Sequence, residues 1–484
     1  LTISHNGNVS FSGNSSSSSY FDSSGGAIYA GNVLTISHNG NVSFSGNSSS
    51  SDDSYSYGGA IFAYYGDVTI SQNGDVSFSG NSSSSSYAYS YGGAIYANTV
   101  TISQNGDVSF SGNSSSSYNS YGGAIYASTV TIQGNDSVLF EKNYENSSGV
   151  YRLRGIIYSG RGMTLSAKTG GNITFYDSVY ISDTSYFNSD YTDAEGNTQS
   201  AGGDIIFSGK YAEQHLNEIL AANNENRTAT DAEIQNSQTS EIRGNVYVNG
   251  GSLQIVDGAV LKVNGETISI AAGSNATLAV SDAELVATNA TIEVGASATL
   301  QLSNGASVTA DEINIAAGAT LAIGDIAVTT SAIDSMVAAY RLSSLNVING
   351  DLTFAAGSTL VTDGTGINMT EGSILTFNAT SDGEKINLVF TLGTEYSEEG
   401  LVQLFSNVDI VKFLMDGEEV DSSTTLLASD FFTGTGINEN TTLHYDSTAN
   451  VVYLQGVNNV VPEPTTATLS LLALAALAMR RRRK

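Results

Sequence analysis

The chain has 484 residues, with 47 acidic side chains against 17 basic ones, a net charge of −30, no cysteine and no tryptophan. Such an acidic surface repels phosphate, which excludes nucleic acid as a partner, and the lack of cysteine removes disulfides and thiolate metal sites. No Lys or Arg precedes Lys142, so a base-plus-cation catalytic pair is excluded from the first 141 residues.

From its first residue the sequence repeats. Leu1-Thr2-Ile3 recurs at Leu34, Val68, Val100 and Val130, at spacings of 33, 34, 32 and 30 residues. A second phrase, Val-Ser-Phe-Ser-Gly-Asn, follows each of the first four, and a third, Gly-Gly-Ala-Ile, begins at Gly25, Gly58, Gly92 and Gly122. Strand side chains alternate faces, so Leu1 and Ile3, Val9 and Phe11, and Ile28 and Ala30 form three inward pairs, while Ser10, Thr2 and Tyr29 point out. No segment has helical periodicity, and a single unit cannot bury its own apolar face. Stacked coils can, each strand pairing with its equivalent about 4.8 Å away. The expected fold is therefore all-β: a three-faced, right-handed parallel β-helix (β-solenoid).

Stacking puts like over like. Phe11, Phe44, Phe78, Phe110, Phe140 and Phe175 should form one internal column, and Asn14, Asn47, Asn81, Asn113 and Asn143 an amide ladder at a corner. A fifth copy is legible at Val130, Val138-Leu139-Phe140 and Gly155-Ile156-Ile157. A sixth reads Met163-Thr164-Leu165, Ile173-Thr174-Phe175 and, as its third segment, Gly202-Gly203-Asp204-Ile205. The segments Ser15–Ser24, Ser48–Tyr57, Ser82–Tyr91 and Ser114–Tyr121 read as solvated loops forming a serine and tyrosine fringe along one edge.

Further on, a shorter phrase ending in Thr-Leu recurs from Gly273, Gly295 and Gly318, with looser echoes at Gly250, Gly357 and Gly372. Two stretches look helical, Tyr211 to Ala222 and Ala332 to Leu345. From Lys385 to Val457 longer alternating strands, with an Asp416-Gly417 turn, suit a small β-rich cap over the solenoid end. The expected organisation is 1–209 serine- and glycine-rich repeats, 210–240 a partly helical insertion, 241–380 a second solenoid segment, 381–457 the cap and 458–484 a tail.

Both prolines of the chain lie in the tail, in Val461-Pro462-Glu463-Pro464. An apolar run from Thr465 to Met479 follows, about 22 Å long as a helix against a hydrocarbon core of about 30 Å. Then come Arg480, Arg481, Arg482, Arg483 and Lys484, a cluster that would hold the C-terminus in the cytoplasm with the solenoid outside. This tripartite ending resembles the PEP-CTERM sorting signal. The resemblance implies an exosortase-type sorting enzyme as partner, a transmembrane sorting helix before processing, and transfer to the cell surface or extracellular matrix of a Gram-negative-type bacterium. The N-terminal copies resemble the repeats of chlamydial-type polymorphic outer-membrane proteins, which pair Gly-Gly-Ala-Ile with Phe-x-x-Asn. That likeness implies a β-helix at the surface but not autotransport, because no export barrel is read here. Leu1 falls within a repeat, so the chain is expected to lack its natural start and export signal.

No catalytic residue, metal site or cofactor motif is assigned. Asp75 and Asp107 stack in register, but Asn8 and Asn41 take the same place earlier, which suits a turn. His5 and His38 give way to Gln72 and Gln104, so a polar corner explains them better than titration or ligation. The one mixed-charge neighbourhood, Arg152, Arg154 and Arg161 with Asp177, Asp183 and Asp204, keeps a carbohydrate-active enzyme (polysaccharide lyase or hydrolase) as the alternative. The favoured reading is a structural or adhesive surface protein, with Tyr55, Tyr57, Tyr89 and Tyr91 as candidate contacts to surface or extracellular polysaccharide. The internal column gives a first prediction: Phe78→Ala should cost about 3–5 kcal/mol in chemical denaturation.

Overall fold

The expected pairing of each phrase with its own copy is realised strand by strand in a computed structural model of the chain. It describes residues 1–457 except 154, 194, 324–345, 363–366, 371, 391–401, 409, 421–425, 435 and 448. Val9–Ser12 lies parallel to Val42–Ser45 with Phe11 opposite Phe44, and the same register continues through Phe78, Phe110 and Phe140 to Phe175. Their rings stack at 4.7–4.9 Å, a coil's rise, and from Phe44 onward they are buried. Leu34–Ser37 and Ile61–Ala63 belong to two further ladders of the same parallel kind. The protein is all-β, built from parallel sheets, and falls into two compact units, Leu1–Glu266 with Ala283–Val286, and Thr267–Asp282 with the chain from Ala287.

In the first unit the serine segments are not loops. Ser48–Ser51 and Ser56–Tyr57 are strands, and each pairs in register with its copies. A coil there has five strands, not three. Alternation turns Ser49, Ser83 and Ser115 inward to face Ser56 and Ser90. A buried hydroxyl without a partner costs stability, and these have partners. The Oγ atoms of Ser49 and Ser56 share a hydrogen bond at 2.7 Å, Ser83 Oγ donates to Ser56 Oγ at 3.1 Å, and Ser115 Oγ donates to the Ser90 carbonyl at 2.9 Å. Composition concealed this layer, because polar residues in a half-period alternation look the same whether one face is buried or none.

Glycine is required where this layer meets the next corner. At the corner, Gly58 has φ +56 and a Cβ there would lie 2.0 Å from the Ile61 carbonyl oxygen; one on Gly59 would lie 2.5 Å from that of Ser82. The paired glycines thus let the serine strand approach the turn that leads into the apolar face.

Two amide ladders hold two other corners. Asn47 Nδ2 donates to Asn81 Oδ1 at 2.9 Å and to the Phe11 carbonyl at 3.0 Å, while its Oδ1 accepts from the Asn14 backbone and side chain. Each interior amide of the series is fully satisfied. The second ladder, Asn6, Asn39, Asn73, Asn105 and Asn135, is built the same way and was not singled out from sequence. Its signal was present as the Asn of the His-Asn-Gly and Gln-Asn-Gly phrases of the first four copies, and as Gln133-Gly134-Asn135 in the fifth.

The sixth copy needs a correction. Asp204–Ser208 pairs with Asn172–Phe175, so it is the phenylalanine strand of the following coil, and Phe207 stacks on Phe175 at 5.1 Å. The equivalent of Gly-Gly-Ala-Ile is instead Tyr180–Ile181, paired with Ile157–Ser159. The expected helix at Tyr211 to Ala222 is α1 (Ala212–Ala222); a second, α2 (Asp231–Gln238), went unread although Thr230 and Glu233 form a capping box. Leu216, Ile219 and Leu220 of α1 bury against Tyr151 and Leu153, beside Val150–Arg152, which closes the serine sheet in antiparallel fashion.

In the second unit Thr277, Thr299, Thr320 and Thr359 stack in register, as the repeated phrase requires. The Gly372 echo belongs to another sheet, where Leu375 pairs with Leu352. Strands Val402–Ser406, Thr442–Asp446 and Val451–Gln455 pair antiparallel, and Asp416 and Gly417 adopt the positive φ of a hairpin turn. The expected helix at 332–345 lies outside the described residues.

Buried and outward serines should differ sharply. Ser83→Val should destabilise by about 1–3 kcal/mol through a lost hydrogen bond and overpacking, whereas Ser84→Val on the outer side should stay within about 0.5 kcal/mol, both read by urea denaturation.

Candidate functional site: an aromatic face and its polar surroundings

Residues at the outward positions of two adjoining ladders produce the most distinctive surface of the first unit. The strands Ile28–Ala30, Ile61–Ala63, Ile95–Ser103, Ile125–Gln133 and Ile157–Ser159 alternate an inward aliphatic residue with an outward ring. Tyr29, Phe62, Tyr96, Tyr126, Tyr158 and Tyr180 therefore form a column with centroid spacings of 4.9–5.3 Å. Across the glycine corner, Tyr57, Tyr91 and Tyr121 form a second column at 5.5–5.6 Å. The two meet edge to face, Tyr91 against Tyr126 at 4.8 Å, a favoured arrangement for the ring quadrupoles.

Tyr55 and Tyr89, stacked at 5.7 Å, continue the array outward. The structure thus brings together all four tyrosines expected to contact polysaccharide and joins them to a column that sequence reading had only noted as outward-facing at Tyr29. Beyond them project Tyr20, Phe21, Tyr87 and Tyr118, which are 67–79% exposed. On the opposite margin lie Tyr64 and Tyr65, whose hydroxyls are hydrogen-bonded at 3.0 Å. Partial burial pushes the phenols of Tyr57, Tyr91 and Tyr96 upward and that of Tyr126 up to about 12, so at neutral pH these four are uncharged.

The other candidate residues are dispersed. Asp75 Oδ1 accepts from the Asp107 backbone N–H at 3.1 Å, as Asn41 Oδ1 does from Asp75 and Asn8 Oδ1 from Asn41, so these side chains bracket successive coils. His5, His38, Gln72 and Gln104 all take φ near +55 to +58, and the two imidazoles stack at 4.9 Å. Among the described residues no group of three acidic or histidine side chains is placed to hold a metal ion.

Nor does a cluster form from Asp177, Asp183 and Asp204: Asp183 Oδ1 accepts from the Thr184 N–H, and Asp204 Oδ1 accepts from Ser252 Oγ. Asp177 ends the first amide ladder, its Oδ2 accepting from the backbone and side chain of Asn143 at 3.0 and 2.9 Å. Its Oδ1 has no protein partner and borders a small cavity with Ser178, Ser208 and Ser240. Burial pushes this carboxyl up to about 7, against the pull of the Asn143 hydrogen bonds. Arg154 lies outside the described residues.

These features define an all-β protein of stacked parallel sheets, consistent with a β-helix or solenoid, with a face of outward-pointing rings. Comparison with known families gives two matches. Residues 460–484 match the PEP-CTERM protein-sorting motif, and residues 8–31, 41–64, 75–98 and 107–128 match the Chlamydia polymorphic membrane protein repeat. The chain thus carries the marks of an exported cell-surface protein of a Gram-negative-type bacterium, and the motif implies processing by an exosortase. No curated protein and no solved structure matches it. The sorting residues Val461–Pro464 and Arg480–Lys484 lie outside the described residues. Among those described, no helix is long and apolar enough to cross a membrane.

The raised Asp177 carboxyl has a testable consequence. In the folded state it holds its proton to higher pH than in the unfolded chain, so its stabilising contribution is complete below about pH 4 and fades as pH rises through about 7. Asp177→Asn, which supplies the ladder's own residue type, should remove that loss. The melting temperature of the variant should gain on the native protein between pH 4 and pH 8.

Proposed function

We propose that the chain is a non-catalytic, structural and adhesive surface protein that holds extracellular polysaccharide along its aromatic face. The observation that carries this reading is the run of stacked rings on the outward side of the coils, all but the buried Phe62 reaching the surface. Architecture alone needs no aromatic there, since serine and threonine fill outward positions on the other faces. Tyrosine offers stiff, amphipathic contact at low entropic cost, and its hydroxyl meets sugar hydroxyls while its ring meets their C–H faces. In this reading Tyr55, Tyr57, Tyr89 and Tyr91 are the centre of the contact.

The coils are taken to be right-handed, as parallel crossover connections are in nearly all sheets, and the antiparallel strands before residue 457 act as a cap. The apolar run 465–479 holds the protein in the membrane until the exosortase removes it, after which the solenoid is displayed at the surface or in the matrix. The segments 1–209, 210–240, 241–380, 381–457 and 458–484 serve as display repeats, insertion, second solenoid, cap and sorting tail.

Mass spectrometry of protein from the native envelope should find a mature C-terminus near Pro462–Pro464; an intact Lys484 would reduce the tail to a plain anchor. The recovered solenoid should retain insoluble glycan in a pull-down, and Tyr57→Ser with Tyr91→Ser should weaken retention several-fold without unfolding. Turnover of a glycan that disappears on changing Asp177, Asp183 or Asp204 would replace this reading with the enzymatic one.

A further inference from the structure

Resting on the polysaccharide reading, we infer that the aromatic face selects a glycan bearing free amines, a β-linked amino-sugar polymer laid along the coil axis. The first ground is the charge bordering the rings. Asp22 accepts from the Tyr55 N–H and acts electrostatically on the Tyr57 phenol. Asp52 and Asp53 are exposed and in register between the first and third coils, since Asp53 N donates to Ser19 O and Tyr87 N to Asp52 O; the exposed Tyr20 and Tyr87 follow directly. Asp67, also exposed, follows Tyr64 and Tyr65 closely in the chain and accepts from Asn98 Nδ2 at 3.4 Å. With no Lys or Arg in residues 1–141, a polyanion meets no attracting side chain of that stretch along the rings from Tyr29 to Tyr126.

The second ground is a cation already seated on this array. At the far end of the longer column, the Arg243 guanidinium lies 5.0 Å from the Tyr180 ring centroid and is paired with Glu241 at 3.0 Å. Tyr180 ends the column and so leaves one ring face for the guanidinium, with Glu241 beside it; along the rest of the column the ring faces cover one another, and an external amine would meet the outward phenol hydroxyls and the carboxylates at the margin.

Spacing favours a sugar chain over a basic peptide. Rings recur at 4.9–5.6 Å, close to the pyranose repeat of an extended β-linked polymer, whereas an extended peptide advances only about 3.3 Å per residue and falls out of step.

Calorimetry on the full chain with soluble β-1,4-linked glucosamine oligomers, their fully N-acetylated counterparts, polygalacturonate and polylysine tests this. The glucosamine oligomers should bind about tenfold more tightly than the acetylated ones, and polygalacturonate not at all. Asp52→Asn with Asp53→Asn should cost about fivefold, and so should Tyr57→Ser with Tyr91→Ser at unchanged charge. Asp75→Asn with Asp107→Asn, equal in charge change but at another corner, should leave affinity unaltered. Equal binding of both oligomers would overturn the inference and leave the polysaccharide reading standing. Binding of none of the three glycans would overturn both. Polylysine binding as tightly as glucosamine, or equal losses from the two carboxylate pairs, would overturn the selection for amino sugars.

Discussion

A strand hydrogen-bonded in parallel register to its own copy one coil away is the constraint on which this protein is built. The pairing multiplies every local choice: one Phe becomes a column, one Asn a ladder, one outward Tyr a strip of rings. Because the rise is fixed near 4.8 Å by the backbone, side chains stack at a distance where rings make contact and amides can share hydrogen bonds. A single unit has none of these interactions.

The two corners held by asparagine show how the coil turns without losing its backbone bonds. Asn81 receives from one coil, gives to the next, and reaches back to the Phe44 carbonyl. Glycine does different work at the third corner, admitting the serine strands so closely that their inward hydroxyls meet. The serine compartment is thus a polar interior beside an apolar one. It closes where Val150–Arg152 turns antiparallel and the apolar side of α1 covers it.

The outer surface follows from the same multiplication. Uncharged phenols occupy one face, hydroxyls others, and carboxylates are left at turns where they bracket the next coil or stand free. Among the described residues, Arg243 is the cation that meets the tyrosine column. An exported protein of this kind offers its environment a regular strip of rings with carboxylates near its margin.

Much of this was legible in the sequence. Period, alternation and punctuation identified the parallel coils, the Phe column, the first Asn ladder and the sorting tail, because each is a local pattern copied many times. Tertiary structure decided what pattern alone leaves ambiguous. Serine alternation carries no hydrophobic signal, so only the approach of a second strand reveals that Ser49 and Ser83 are interior. Sequence proximity made Gly202-Gly203 look like the repeat's third phrase, whereas pairing assigns Asp204–Ser208 to the phenylalanine sheet. The four tyrosines were visible as a fringe. Their union with Tyr96, Tyr126 and Tyr158 arises only when the glycine corner folds two ladders together, since residues on separate strands become neighbours through the turn and not through the order of the chain.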